Sequence, residues 1–202
     1  GIRDRSPSRG LGDVYNRQIH DSDRTLVMGV LNITEDSFSD GGLWLDPANA
    51  KAHGEAMMKD GADIIDIGAE STRPGGAKRV SEEDEQTRVL GAVDALIPEG
   101  AVLSIDTTRA SVARMALEHG AQIINDVSGG QLDREVPHVV AEHAESLYIV
   151  QHWRGWLAGS AGDVPDANTS VYANGVVNDV YDELMKQVDD VLQAGVSPSQ
   201  II

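Results

Sequence analysis

The chain has 202 residues, a length typical of one domain with a substantial core. Its formal net charge of −17 disfavours binding to nucleic acid and to anionic membrane surfaces. To bind an anionic substrate, the site would need a local arginine, metal ion or helix N-terminus that offsets this negative charge. The absence of cysteine excludes disulfides and cysteine-based zinc sites and fits a reducing, cytoplasmic location. No apolar run approaches the length of a transmembrane helix. Residues 1–20 are charged and lack an apolar stretch, so they are predicted to be a disordered or vector-derived tail preceding a domain at 21–202.

Five short apolar runs then alternate with helical segments, which is the pattern of successive βα units and a parallel sheet. The strands are predicted at residues 26–31, 63–68, 101–106, 121–126 and 146–151. The helices are predicted at about 46–61, 81–96, 108–119, 134–143 and 176–194. Asp46 followed by Pro47 is typical of a helix start, Ser81 fits a capping box, and Gly120 and Gly195 fit helix ends.

Each predicted strand is followed at once by polar side chains. In a (β/α)8 barrel the carboxyl ends of the strands and the loops after them form the active-site face, so these groups should surround one polar ligand. A helix cap or a loop brace is the better interpretation for Asp66, Thr107 or Asp126 taken singly, but not for all five strand ends together. The polar groups are Asn32; Asp66 with Glu70, Ser71, Thr72 and Arg73; Asp106 with Thr107; Asn125 with Asp126; and Gln151 with His152.

The loop after the first strand holds Phe38, the only phenylalanine of the chain. Its neighbours are Ser37 and Ser39, with Asp36 and Asp40 beyond them. A large aromatic ring in such a loop either contacts a ligand or folds back to cap the end of the barrel, and the local pattern favours neither reading.

Five segments together resemble the dihydropteroate synthases, the folate-pathway family with a pterin-binding barrel. They are MGVLNITEDSFSDGG (28–42), GAESTRPGG (68–76), SIDTTRA (104–110), INDVSGG (124–130) and QHWRG (151–155), in the order and spacing of that family. The resemblance implies an α/β fold, a (β/α)8 TIM barrel of which this chain supplies about the first five βα units. It also implies an enzyme that condenses 6-hydroxymethyl-7,8-dihydropterin pyrophosphate with p-aminobenzoate. By the same resemblance the enzyme is expected to be cytoplasmic, to be a sulfonamide target and to form a homodimer when full-length.

The resemblance also implies roles for individual residues. Asn32 matches a residue that helps to bind Mg2+ and pyrophosphate, while Asp106 and Asn125 match pterin-binding residues. Thr72 and Arg73 match the second substrate loop, where a hydroxyl and a guanidinium meet pyrophosphate oxygens. In the first loop, Asp36 would stabilise the cationic pterin methylene and Phe38 would border the aminobenzoate. Asp36 and Arg73 are thus the candidate catalytic residues, and His152 is interpreted as structural or as a contact on the pyrophosphate side.

Two positions depart from the family pattern. Glu35 replaces a proline, which removes a backbone restraint from the first loop, and Gln151 replaces a methionine that lines the pterin pocket. These differences leave open a catalytically silent pterin-binding paralogue, and the fold leaves open a pterin-dependent methyltransferase. Residues 156–172 form a long connection that is either a flap or disordered.

The chain reaches Ile201 and Ile202 at the expected start of a sixth strand, whereas a full barrel needs eight strands and about 250 residues. We therefore expect these residues to belong to a larger protein. Expressed alone, they are expected to be unstable or aggregating and to lack synthase activity, because an open sheet exposes an apolar flank.

Overall fold

The computed structural model describes residue 19 and residues 22–34, 46–70, 80–154 and 171–202. Strands and helices alternate through these ranges, as the sequence predicts, and the strand limits agree with the predicted ones to within two residues. Two short 3-10 turns at Ile97–Glu99 and Pro198–Gln200 complete the secondary structure of the described ranges. The main elements are β1 (Met28–Asn32), α1 (Pro47–Lys59), β2 (Ile64–Gly68), α2 (Glu82–Leu96), β3 (Leu103–Asp106), α3 (Ala110–Glu118), β4 (Ile123–Asp126), α4 (Glu135–Glu142), β5 (Leu147–Val150) and α5 (Val176–Gln193).

The helix starts follow from local hydrogen bonds. The Asp46 carboxylate accepts from the backbone N–H of Ala48 at 2.9 Å at the start of α1, and the Ser81 hydroxyl caps α2. Helix α3 begins at Ala110 rather than at residue 108, because the backbone of Arg109 is extended; the Asp133 carboxylate accepts from the Ala110 N–H at 2.8 Å. Gly120 follows α3 with a φ of +101°, a conformation that favours glycine after a helix.

The five strands form one parallel sheet in the order β1-β2-β3-β4-β5. Strands that are neighbours in the chain are therefore neighbours in the sheet, as in the first part of a (β/α)8 barrel. Beyond β5, Ile201 pairs with Tyr148 in parallel, and the Ile202 N–H donates to the Tyr148 carbonyl at 2.9 Å. The predicted start of a sixth strand is thus confirmed.

The two faces of the sheet carry different side chains. The outer face packs against the helices and forms the main core, which is almost entirely aliphatic, as a chain with 4% aromatic residues requires. The inner face carries a smaller cluster built on Ile64, Ile123 and Leu147. Val30 also lies on this face and is 55% exposed, because the five strands do not close around it.

Ile19 falls within the predicted N-terminal tail and packs against the inner cluster. The other residues of the tail lie outside the described ranges. Within the described part of the chain, no helix is both long enough and apolar enough to cross a bilayer.

Candidate active site

Three predicted site residues lie in one row at the carboxyl ends of the strands. In the sheet register Asn32 pairs with Gly68, Gly68 pairs with Asp106, and Asp106 pairs with Asn125. Residues that pair in register point to the same face of a parallel sheet, so these side chains share the inner face. The structure therefore brings Asn32, Asp106 and Asn125 together.

Gly68 leaves open the space between two of these side chains. A Cβ atom at Gly68 would lie 3.5 Å from Asn32 Oδ1 and 3.5 Å from Asp106 Oδ2. The two oxygens are therefore separated by no more than twice that distance, on either side of a position with no side chain. Any larger residue at position 68 would place its Cβ atom in contact with both oxygens.

Asp66 belongs to the same site, although the sequence favoured a structural role for it. Its carboxylate accepts from Asn125 Nδ2, with distances of 3.2 and 3.4 Å to the two oxygens. The signal was present in the strand DIIDIG, because the alternation of a strand places Asp66 on the face opposite to Ile65 and Ile67. Asp66 is thus a residue of the inner face, two positions before Gly68.

Gln151 completes a short chain of hydrogen bonds across the row. Its Nε2 donates to Asn125 Oδ1 at 2.7 Å. The Asn125 amide consequently has a defined orientation, with its oxygen toward Gln151 and its nitrogen toward Asp66. Gln187 on α5 supports the arrangement from outside, since its Nε2 donates to the Gln151 carbonyl at 3.3 Å and to the Ser128 carbonyl at 3.2 Å.

The site is rich in carboxylates, and this changes their acidity. The pKa of Asp106 is raised to about 7, first because burial disfavours its charged form and then because Asp66, Asp126 and Glu70 add negative potential. Burial also raises the pKa of Asp66, while the hydrogen bond from Asn125 opposes that rise. Near neutral pH Asp106 is therefore divided between its neutral and its ionised form, and a ligand edge with several N–H donors would complement the ionised form.

Two further polar residues at the strand ends brace loops, as the sequence indicated. The Asp126 carboxylate accepts from the backbone N–H groups of Ser128 and Gly130 and from the Tyr148 hydroxyl, each at 2.8 Å. The Thr107 hydroxyl donates to Glu85 at 2.6 Å. Both residues therefore shape the rim without presenting free groups to a ligand.

His152 has a structural partner. Its Nε2 lies 2.8 Å from Glu183 Oε2, and the Arg154 guanidinium binds the same carboxylate through two of its nitrogens. Arg154 first and His152 second lower the pKa of Glu183 to about 2. This cluster ties the end of β5 to α5, which agrees with the structural interpretation of His152.

The remaining predicted site residues, Asp36, Phe38, Thr72 and Arg73, lie outside the described residues, and so do Glu35 and residues 155–170. Among the described residues, no group of three or more histidine or acidic side chains is placed to hold a metal ion. The described half of the site consists of Asn32, Asp66, Asp106, Asn125 and Gln151.

Comparison with known proteins agrees with this arrangement. Residues 28–202 match a family described as "Pterin binding enzyme". Dihydropteroate synthase of Mycobacterium leprae is 45% identical over 176 residues, which are 87% of this chain and 59% of that protein. The enzyme of Bacillus subtilis is 41% identical over 181 residues, covering 89% of this chain and 58% of that protein. The chain thus spans less than two thirds of the length of these relatives.

Solved structures show the same similarity. A dihydropteroate synthase of Clostridium difficile, crystallised in the presence of pteroic acid, has a TM-score of 0.75 at 32% identity and is matched over 89% of this chain and 63% of that one. The enzyme of Xanthomonas albilineans with 4-aminobenzoic acid has a TM-score of 0.74 at 33% identity, over 89% of this chain and 60% of that one.

Proposed function

Because the chain belongs to the family of pterin-binding enzymes, we propose that the protein is a dihydropteroate synthase. The proposed reaction joins 6-hydroxymethyl-7,8-dihydropterin pyrophosphate to p-aminobenzoate and gives 7,8-dihydropteroate and pyrophosphate. Each experiment uses the product of the complete reading frame, called the intact protein.

One observation carries the proposal from the structure itself. Two carboxylates and an amide, those of Asp66, Asp106 and Asn125, occupy adjacent positions on the inner face of three neighbouring strands. A pterin presents an amino group and ring N–H groups along one edge, and these donors need acceptors when they leave water. Carboxylate and amide oxygens on one face of the sheet supply such acceptors.

Because the pKa of Asp106 is raised, pterin binding should be coupled to the protonation state of this residue. In the free site, part of the Asp106 population is neutral near pH 7. Hydrogen bonds from a pterin amino group favour the ionised form, so pterin binding should release a proton from Asp106. Asn125 is held between Gln151 and Asp66, which fixes the orientation of its amide beside Asp106.

The diphosphate half of the substrate needs positive charge, which the described carboxylates do not provide. We assign this role to Mg2+ bound through Asn32 Oδ1 and to Thr72 and Arg73. Asn32 fits such a site because the residue is exposed and its amide oxygen lies beside Gly68, and Mg2+ commonly takes few protein ligands when it also binds phosphate oxygens and water. The metal would neutralise charge on the leaving pyrophosphate.

The proposed chemistry needs no protein nucleophile. The bond between the pterin methylene and the diphosphate oxygen breaks, and the arylamine nitrogen then forms the new bond to that carbon and loses a proton. Asp36 would stabilise the cationic methylene, and Phe38 would border the aminobenzoate. The protein thus positions charges and excludes water.

We also propose that the intact protein is a homodimer. Its mass in analytical ultracentrifugation tests this.

One observation favours a second candidate, a catalytically silent pterin-binding protein. The Gln151 amide already donates to Asn125 Oδ1, so it competes with the ligand for that acceptor. Methionine at position 151 would leave the Asn125 oxygen to the pterin. The variant Gln151→Met separates the candidates, because a silent protein should stay silent when its pterin affinity rises.

The test is release of pyrophosphate from the intact protein with both substrates and Mg2+, together with detection of dihydropteroate. We expect release that requires both substrates and is lost in Asp106→Asn but kept in Asp189→Asn, which changes an exposed carboxylate on α5. Pterin binding without any pyrophosphate release would establish the silent alternative. The absence of both would contradict the whole assignment.

A further inference from the structure

Asn125 is the middle member of a chain of hydrogen bonds that has one direction. Gln151 Nε2, just after β5, donates to Asn125 Oδ1 at 2.7 Å, and Asn125 Nδ2 donates to the Asp66 carboxylate at 3.2 Å. Strand β3 lies between β2, which carries Asp66, and β4, which carries Asn125. The hydrogen bonds therefore run from the end of β5 through β4 and across β3 to β2.

The two amides of this chain do not determine its direction by themselves. Each amide has donor N–H groups on one side and an acceptor oxygen on the other, so Asn125 and Gln151 could also pair with both amides reversed. An ionised carboxylate accepts hydrogen bonds and donates none, and an N–H donor favours this ionised form. Reversal would place Asn125 Oδ1 against the Asp66 oxygens, which would repel it. Asp66 is thus the group that fixes the direction.

The surroundings of Asp66 strengthen this effect. Asp66 is only 5% exposed, so water does not compete for its oxygens, and both of them lie within 3.4 Å of Asn125 Nδ2. Gln151 is an exposed residue, so water can replace its amide as the donor to Asn125. The buried carboxylate therefore contributes more to the orientation of Asn125 than the exposed amide does.

The oriented Asn125 amide retains hydrogen-bonding capacity for a ligand. An amide nitrogen carries two hydrogens and an amide oxygen has two lone pairs, so one N–H group and one lone pair are left beside the contacts to Asp66 and Gln151. Asn125 is partly exposed, and its neighbour in the sheet register, Asp106, adds a carboxyl group on the same face. The amide can therefore both donate to a ligand and accept from it, in a fixed arrangement.

Such an amide pairs with a ligand edge that has an acceptor next to a donor. Asparagine side chains bind adenine in this way, through the amino group and the ring nitrogen beside it. The pyrimidine ring of a pterin has the same two groups, a 2-amino group and an adjacent ring nitrogen without hydrogen. In the 2-oxo counterpart a carbonyl replaces the amino group and the ring nitrogen carries a hydrogen, so donor and acceptor are exchanged. The 2-oxo edge fits the reversed amide.

We propose that Asp66 is a positioning residue that fixes the Asn125 amide in the direction that selects a 2-amino pteridine over its 2-oxo counterpart. This inference rests on the proposed function, because it takes the pterin half of the substrate as the ligand of Asn125. It concerns binding alone, so its test needs no turnover.

The experiment measures the affinities of the intact protein for 6-hydroxymethylpterin and for 6-hydroxymethyllumazine, its 2-oxo counterpart, by titration calorimetry. Asp66→Asn keeps the shape of the side chain but can donate as well as accept. Gln151→Met removes the other partner of Asn125 and leaves Asp66 in place. Asp189→Asn, which changes an exposed carboxylate on α5, is the control for loss of one negative charge.

The wild type should bind the pterin about tenfold to a hundredfold more tightly than the lumazine, which is the scale of discrimination by one good pair between an amide and a base. In Asp66→Asn this preference should fall by roughly tenfold, because an asparagine at position 66 can donate to a reversed Asn125 amide. Gln151→Met and Asp189→Asn should keep at least the wild-type preference.

The inference is overturned if the wild type binds both ligands equally, if folded Asp66→Asn keeps the wild-type preference, or if Gln151→Met loses it. Circular dichroism shows whether each variant is folded. If Asp66→Asn is unfolded, Gln151→Met decides, because Asp66 is then the partner that remains to orient Asn125.

Failure of the inference is distinguishable from failure of the proposed function. A protein that prefers the pterin but releases no pyrophosphate with both substrates would refute the synthase function and leave the role of Asp66 intact. An active synthase without the preference would refute the role of Asp66 alone. A protein that binds neither ligand would contradict both.

Discussion

Replacing Asp106 by asparagine should remove a pH-dependent loss of stability from the ligand-free protein. Burial, and then the charges of Asp66, Asp126 and Glu70, raise the pKa of Asp106 to about 7, whereas the ordinary value is 3.8. Between these two pH values the folded protein retains a proton that the unfolded chain has lost. The free energy of unfolding must therefore fall as the pH rises through this interval, and the loss is complete above pH 7.

The size of the effect follows from the two pKa values. Each pKa unit corresponds to about 1.36 kcal/mol, so the interval from 3.8 to about 7 is worth at most about 4 kcal/mol. Asp106 lies at the open end of the sheet, where water and relaxation weaken charge interactions, so we expect about 2 kcal/mol. Asparagine keeps the shape of the side chain without its ionisation.

The assay is urea denaturation of the intact protein at about pH 5 and about pH 8, where the carboxyl group is mostly neutral or mostly ionised in the folded state. The wild type should lose more stability across this interval than Asp106→Asn, which should be the more stable of the two at the higher pH. Asp189→Asn removes an exposed charge and should keep the wild-type pH dependence. Equal pH dependence in the wild type and Asp106→Asn would refute the reasoning.

Gln187→Leu should lower the free energy of unfolding in urea by about 1 kcal/mol, because it removes the hydrogen bonds that its buried amide donates to the Gln151 and Ser128 carbonyls, whereas Gln193→Leu at the exposed end of the same helix should unfold like the wild type. Asp126→Ala should lower the free energy of unfolding in urea by about 3 kcal/mol, because four donors lose a fully buried carboxylate: the Ser128 N–H and hydroxyl, the Gly130 N–H and the Tyr148 hydroxyl. A loss below about 1 kcal/mol would contradict its role as a brace. Residues 21–202 expressed alone should aggregate and bind a hydrophobic dye, because the inner face of the sheet is exposed at Val30; a soluble monomer that unfolds cooperatively would show that expectation to be wrong.

Local chemistry made much of the fold predictable. The Asp46 cap and Gly120 mark helix limits through hydrogen bonds and backbone angles that involve only nearby residues, so their positions follow from sequence. The row of Asn32, Asp106 and Asn125 was predictable for a related reason. Parallel strands joined by helices deliver their carboxyl ends to the same edge of a sheet, whatever the details of packing.

Contacts between distant residues were decided by the tertiary structure. Asp66 lies 59 positions before Asn125, and the hydrogen bond between their side chains became visible only in the folded sheet. The pKa of Asp106 depends on burial and on three other carboxylates from separate parts of the chain. The Arg109 guanidinium contacts Glu70 and the Val80 carbonyl, which lie 39 and 29 positions earlier in the chain, and only folding brings these groups together. The sequence by itself determined which polar groups lie at the strand ends, because strand periodicity and helix capping are local. The packing of strands and helices decided which of these groups form hydrogen bonds or ion pairs and which have a shifted pKa, because those energies depend on distance and burial.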